Sequence, residues 1–143
     1  MKKQIKKLKK LDPCVEAIEW LKDQDNRQQA WNDCGRGDWM LWLLGKQSGP
    51  PEGKKRKLLV LACCECAKLS LKYVKKGEKK PLIAIETAEK WVNGEATINE
   101  VRTAYAYAYA SAASAAYASA AYAGVLKECA DIVIKHYPEA PKL

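Results

Sequence analysis

Residues 103–124 read "TAYAYAYASAASAAYASAAYAG", twelve alanines, five tyrosines and three serines in twenty-two positions with no charge. The alternation in "AYAYAYA" has the period of a strand. Alanine, however, is the best helix former and a poor strand former, and the tract far exceeds ordinary strand length. A helix is therefore expected. Just before it, "TINE" places Thr97 and Glu100 at capping-box spacing. A helix from Ile98 to about Tyr137 would be roughly 60 Å long at 1.5 Å per residue, so a break or bend is expected near Gly124. On its wheel Tyr105 and Tyr109 fall within about 40° of each other, while Tyr107, Tyr117 and Tyr122 point elsewhere. No ring-lined stripe emerges, and with one threonine the tract offers no flat ice-binding face. An alanine-coated helix with tyrosines in several directions suits a central helix surrounded by others.

The flanking sequence is helical too. "LDPCVEAIEWLKDQ" offers Asp12 as N-cap and Pro13 at the first helical position, then Val15, Ile18, Trp20 and Leu21 at near-helical spacing. "NRQQAWNDC" is a short helix ended by Gly35. "DWMLWLLG" is capped by Asp38, closed by Gly45 and apolar on every side, so it should be deeply buried. The clearest loop is "KQSGPPEGKK". A long helix then runs from Lys54 to Lys76, with Leu58, Leu61, Cys64 or Ala62, Leu69 and Tyr73 on or near one stripe. The next begins with Pro81 at N1, places Leu82, Ile85, Ala88 and Val92 on a face and stops at Asn93-Gly94. The expectation is an all-α compact helical bundle with a long Ala/Tyr-rich central helix. It comprises a basic N-terminal tail or helix start (1–11), one helical domain (12–138) and a C-terminal tail (139–143).

At 143 residues the chain can bury a real core in one domain. Its net charge of +8 lies unevenly. Residues 1–10 carry six lysines and no acid, and residues 54–80 carry ten bases against two acids. Such blocks favour phosphate-bearing or anionic partners, or simply form solvated faces. The charged start is not followed by the apolar run of a signal peptide, and no span approaches a membrane helix, so a cytoplasmic protein is expected. The six cysteines include the cluster "ACCECA", in which Cys63 and Cys66 share a helix face and Cys64 points about 100° away. That arrangement, with one histidine in the chain, does not make a closed zinc site, so reduced thiols filling a core are expected and no metal.

The order of these features resembles a known family. "CVEAIEWL", "DWMLWLL", "LACCECAKLSL", "KKPLIAIETAEKWVNGEAT" and an Ala/Tyr tract leading to "CADIVIKHYP" follow one another in an order similar to that of the class-five immunity proteins of bacterial polymorphic toxin systems, also found in phage genomes. The resemblance covers residues 12–138. It implies an all-helical fold and a role in conflict between genetic elements, and it carries no catalytic or binding residues over. The lysine tail is not part of the pattern.

Nothing marks an enzyme or calls for a cofactor. There is no P-loop, no Ser-His-Asp or H-E-x-x-H arrangement and no glycine-rich turn after a strand. The residues instead suggest a non-enzymatic immunity or phage counter-defence protein that binds and sequesters an anionic nucleotide-like signalling molecule. Arg36 in the glycine-flanked "GRGD", Lys54, Arg56 and Arg102 are the phosphate candidates, and Trp39 and Tyr105 the stacking ones. Helix starts at Asp38 and Lys54 would add free N–H groups. The alternative is an immunity protein that neutralises a toxin protein by direct contact. Nucleic acid would be bound only weakly and non-specifically, and small-residue helix faces would let copies pair.

Overall fold

A computed structural model describes the backbone of residues 1–116 and 122–143, and the side chains of 1–108 and 122–143. Tyr117, the Tyr109 ring and the continuity of one helix through the whole tract therefore lie outside the described residues. Among those described, the chain forms eight α-helices and two 3-10 helices, with no strand. The helices are α1 (Lys2–Leu8), α2 (Val15–Lys22), α3 (Arg27–Asp33), α4 (Gly37–Gln47), α5 (Lys54–Leu69), α6 (Lys80–Val92), α7 (Ile98–Ala116) and α8 (Tyr122–His136). The 3-10 turns are Lys9–Leu11 and Ser70–Tyr73. The all-α expectation is met.

Spatial order follows from side-chain size. α5 lies between α6 and α8, and α8 in turn packs against α4. Cys64 and Cys66 are both buried, and two residues on a helix point to nearly opposite sides. The Cys64 Sγ faces the Ile85 carbonyl of α6 at 3.8 Å, and the Cys66 Sγ faces the Cys129 carbonyl of α8 at 3.7 Å. α5 is thus buried on two flanks, through Leu59, Ala62, Cys64 and Cys66. Of the stripe expected on this helix, Ala62 and Cys64 are buried, whereas Leu58 is exposed. The core joins Trp31, Met40, Leu44, Leu59, Ala130 and Val133, drawn from α3, α4, α5 and α8.

The Ala/Tyr tract is divided between two settings. α7 packs on α6 and touches the 3-10 turn at Ser70–Tyr73, turning Ala108 inward. Tyr105 and Tyr107 are 61% and 67% exposed. The end of the tract enters α8, whose Leu126, Cys129, Ala130 and Val133 are buried. The tract's own first half lies beside α6, and the most enclosed positions belong to α5 and α8. The small Ala108 side chain allows a close approach of α7 where it turns inward.

Helix starts partly differ from expectation. Thr97 and Glu100 do form a capping box: the Thr97 N–H donates to Glu100 Oε2 at 2.6 Å, and the Glu100 N–H donates to Thr97 Oγ1 at 3.2 Å. Asp12, however, adopts a left-handed φ of 59°, and α2 begins at Val15 behind Cys14. α4 starts after Arg36, leaving Asp38 inside its first turn, and runs past Gly45 to Gln47. Met40 and Leu44 are its buried positions, while Trp39, Leu41, Trp42 and Leu43 are only partly covered.

Both ends of the chain make contacts with the rest of it. Residues 2–8 are helical and bury Leu8. At the other end Ala140 is buried, and its N–H donates to Gln28 Oε1 at 2.8 Å. The Trp31 indole N–H donates to the Tyr137 carbonyl at 2.7 Å, and Gln47 Nε2 donates to the Lys142 carbonyl at 3.0 Å. Both termini therefore belong to the packed body, since backbone groups at 137–142 find partners on α3 and α4.

Candidate functional site

The six candidate residues fall in two regions. Arg36 and Trp39 meet at the start of α4. The Arg36 guanidinium grips Asp38 with both edges, Nε to Oδ1 at 2.9 Å and Nη2 to Oδ2 at 2.6 Å, and lies 4.3 Å from the Trp39 ring centroid. The Asp38 hydrogen bond holds the Arg36 pKa above its ordinary value. Glu16 lines the same cleft. One cation facing two carboxylates is an unfavourable seat for phosphate, because an incoming anion would have to displace Asp38. Trp39 already has Arg36 on its face and lies 6.1 Å from Trp20, tilted by 56°.

Lys54, Arg56 and Arg102 belong to the opposite end, and Tyr105 stands about one turn further along α7. Gly37 of α4 packs against Cys129, whose carbonyl faces Cys66, so Arg36 is level with the end of α5. Lys54 begins that helix, about 18 Å away along its axis at 1.5 Å per residue. The Lys57 ammonium lies 5.9 Å from the Trp91 ring, bringing the start of α5 beside the α6–α7 turn and hence to the end where Arg102 sits. Gly53 gives α5 no side-chain cap, so its first N–H groups are met by none of its own cap atoms. Lys54 is exposed there. Arg56 is otherwise engaged: its Nη2 donates to the Gly49 carbonyl at 3.0 Å and braces the Gly49–Gly53 loop.

A third feature was not singled out by sequence reasoning. On the α6–α7 hairpin, Leu82 and Ile83 of α6 are exposed, Ile83 by 51%, and so are Tyr105 and Tyr107 of α7. α6 and α7 are joined by only the Asn93–Thr97 turn and run antiparallel. Counting equally from that turn brings Ile83 level with Tyr107. Lys75, Lys76, Lys79 and Lys80, all exposed, border the first turn of α6. The buried side of α6 is Pro81 and Ile85, so Leu82 lies off the expected inward face. The signal available in the sequence was the adjacent pair Leu82-Ile83: one narrow buried face cannot hold both together with Pro81 and Ile85. Lys68 Nζ to Glu89 Oε1, at 2.6 Å, fastens α6 to α5 below this surface.

The cysteines divide by exposure. Cys34, Cys64, Cys66 and Cys129 are buried thiols, whereas Cys14 and Cys63 are exposed. Burial pushes the Cys64 thiol up to about 11, and the contact with Cys129 together with burial pushes Cys66 up as well, so both stay protonated near neutral pH. Among the described residues no group of three His, Cys, Asp or Glu side chains is arranged to hold a metal. No helix among them is long and apolar enough to cross a membrane.

Residues 50–130, more than half of the chain, match the model of a family described as "Imm-5 like putative immunity protein". That stretch contains α5, α6, α7 and the start of α8, and with them the exposed hairpin surface. No curated protein and no solved structure matches the chain.

Proposed function

The chain belongs to the Imm-5 like family of immunity proteins, and from that premise we propose that it neutralises a toxin protein by direct contact, using the exposed face of the α6–α7 hairpin. The observation that carries this reading is the exposure of Leu82 and Ile83 on α6 and of Tyr105 and Tyr107 on two flanks of α7, Ile83, Tyr105 and Tyr107 by 51–67%, beside four exposed lysines. Tyrosine supplies large, amphipathic contact area and is enriched at interface hot spots. A rim of Lys75, Lys76, Lys79 and Lys80 selects a partner with acidic groups around an apolar centre and accelerates the encounter in a salt-dependent way. No bond need be made or broken, so the protein acts without catalysis, in the cytoplasm beside its target.

The test is co-expression with the toxic product of the adjacent gene. Wild-type protein rescues growth and co-purifies with that product; Ile83→Asp combined with Tyr107→Ala loses both, while its melting temperature stays within a few degrees of wild type. Full rescue by the double variant would refute the assignment of this face.

A second reading, sequestration of an anionic nucleotide-like molecule, draws on the other end of the hairpin. There Lys54 and the uncapped first turn of α5 share an end of the bundle with Arg102. Arg36 and Trp39 are too far from that end to serve the same ligand. Thermal shift against cyclic oligonucleotides and ADP-ribose-type molecules separates the readings. A sequestered ligand stabilises by roughly 2.7 kcal/mol at a hundredfold excess over its Kd, and the Lys54→Ala, Arg102→Ala variant abolishes that gain.

A further inference from the structure

Four of the five tryptophans, Trp20, Trp31, Trp39 and Trp42, line a single cavity of about 100 Å³. It lies between α1, α2, α3 and α4 and is closed on one side by Ala140 and Leu143 of the C-terminal segment. Every residue of its wall lies outside 50–130, so it is separate from the hairpin face. The wall is apolar almost throughout, with two chemical exceptions: Gln4 Oε1, buried without a hydrogen-bond partner, and Arg27. The Nε of Arg27, which lines the cavity, is buried and has no hydrogen-bond partner. Among the described residues no carboxylate pairs with Arg27.

A buried guanidinium N–H without an acceptor is a costly feature, and satisfied donors are the rule in protein interiors. The wall supplies flat rings for an apolar body and one cationic donor for an acidic head. Size limits the occupant. Pockets for drug-sized ligands are roughly 300–1,000 Å³, whereas a cavity of about 150 Å³ admits a benzene ring. A nucleotide is therefore excluded from this cavity, and a single ring with a short head group, reaching its open side, is the upper limit of the occupant. We propose that it is a binding site for a small aromatic monocarboxylate. The ring packs among the indoles, and the carboxylate oxygens accept from the Nε and one Nη of Arg27 in the side-on geometry that guanidinium favours.

Benzoate is the probe, with benzyl alcohol as its uncharged counterpart, and tryptophan fluorescence and melting temperature are the readouts. Benzoate is expected to change the fluorescence saturably and to raise the melting temperature, binding at least tenfold more tightly than benzyl alcohol. Arg27→Gln brings benzoate down to the level of benzyl alcohol and leaves benzyl alcohol itself unchanged. Ala17→Leu, which fills the cavity from α2, abolishes both. Equal affinity for the two probes in the wild-type protein overturns the role of Arg27 whether or not the Arg27→Gln variant folds. No response to benzoate at all overturns the site.

Discussion

At the scale of single residues, α4 contains two glycines with opposite meanings. A Cβ on Gly37 would lie 2.4 Å from the Cys129 Cβ and 2.7 Å from the Ala130 nitrogen, so α4 can approach α8 only because that atom is missing. The neighbours are backbone and cannot swing aside, and Gly37→Ala is expected to destabilise by about 1–3 kcal/mol or more in urea unfolding. Gly45, inside the same helix, has nothing within 4 Å of an added Cβ. Gly45→Ala should stabilise by about 0.5–1 kcal/mol through helix propensity alone. In the sequence the two looked alike as punctuation, one in "GRGD" and one closing "DWMLWLLG", because contact with a helix ninety residues later is invisible locally. The same holds for Arg36. Its glycine flanks suggested an open anion site, yet its nearest charge is Asp38 two residues on, and only the turn into α4 decides that they meet.

At the scale of elements, the legible features were those written within a few residues. The capping box at Thr97 and Glu100 forms as its spacing predicts, and Thr97→Ala should cost about 1 kcal/mol in thermal or chemical unfolding. Asp12 and Asp38 failed as caps because the chain enters α2 and α4 at other residues, and a good cap residue needs the right backbone entry as much as the right side chain. Contacts between elements add a pH dependence. His136 Nε2 meets Glu65 Oε1 at 2.8 Å and joins α8 to α5, and this hydrogen bond holds the Glu65 carboxyl below its ordinary value of 4.5. A carboxylate depressed on folding stabilises above its unfolded pKa, and that contribution disappears as the pH falls through the lower folded value. Melting curves should therefore show Glu65→Gln losing stability relative to wild type above about pH 4.5, with the two converging in stronger acid.

At the scale of the whole molecule, the all-helical class was readable because alanine content, periodicity and turn residues all agree. The arrangement was not. Which helix sits in the middle depends on who faces whom: α5 is covered on two flanks while the tyrosines at 105 and 107 look outward. The contacts of the termini were hidden for a related reason, since six lysines in a row of ten mask Leu8, and a short proline-containing end masks Ala140. Removing residues 138–143 should lower the melting temperature and shift tryptophan emission to the red, as Trp31 loses the cover of Ala140. In the proposed mode, the α6–α7 hairpin exercises the immunity function of this chain on a protein. Hydrogen exchange of the protein alone and in complex with the toxic product of the adjacent gene tests it most directly. This mode predicts slowed exchange concentrated in residues 79–108 of the complex. Protection confined to α1–α4, or no complex at all while a nucleotide slows exchange around Lys54 and Arg102, would contradict it.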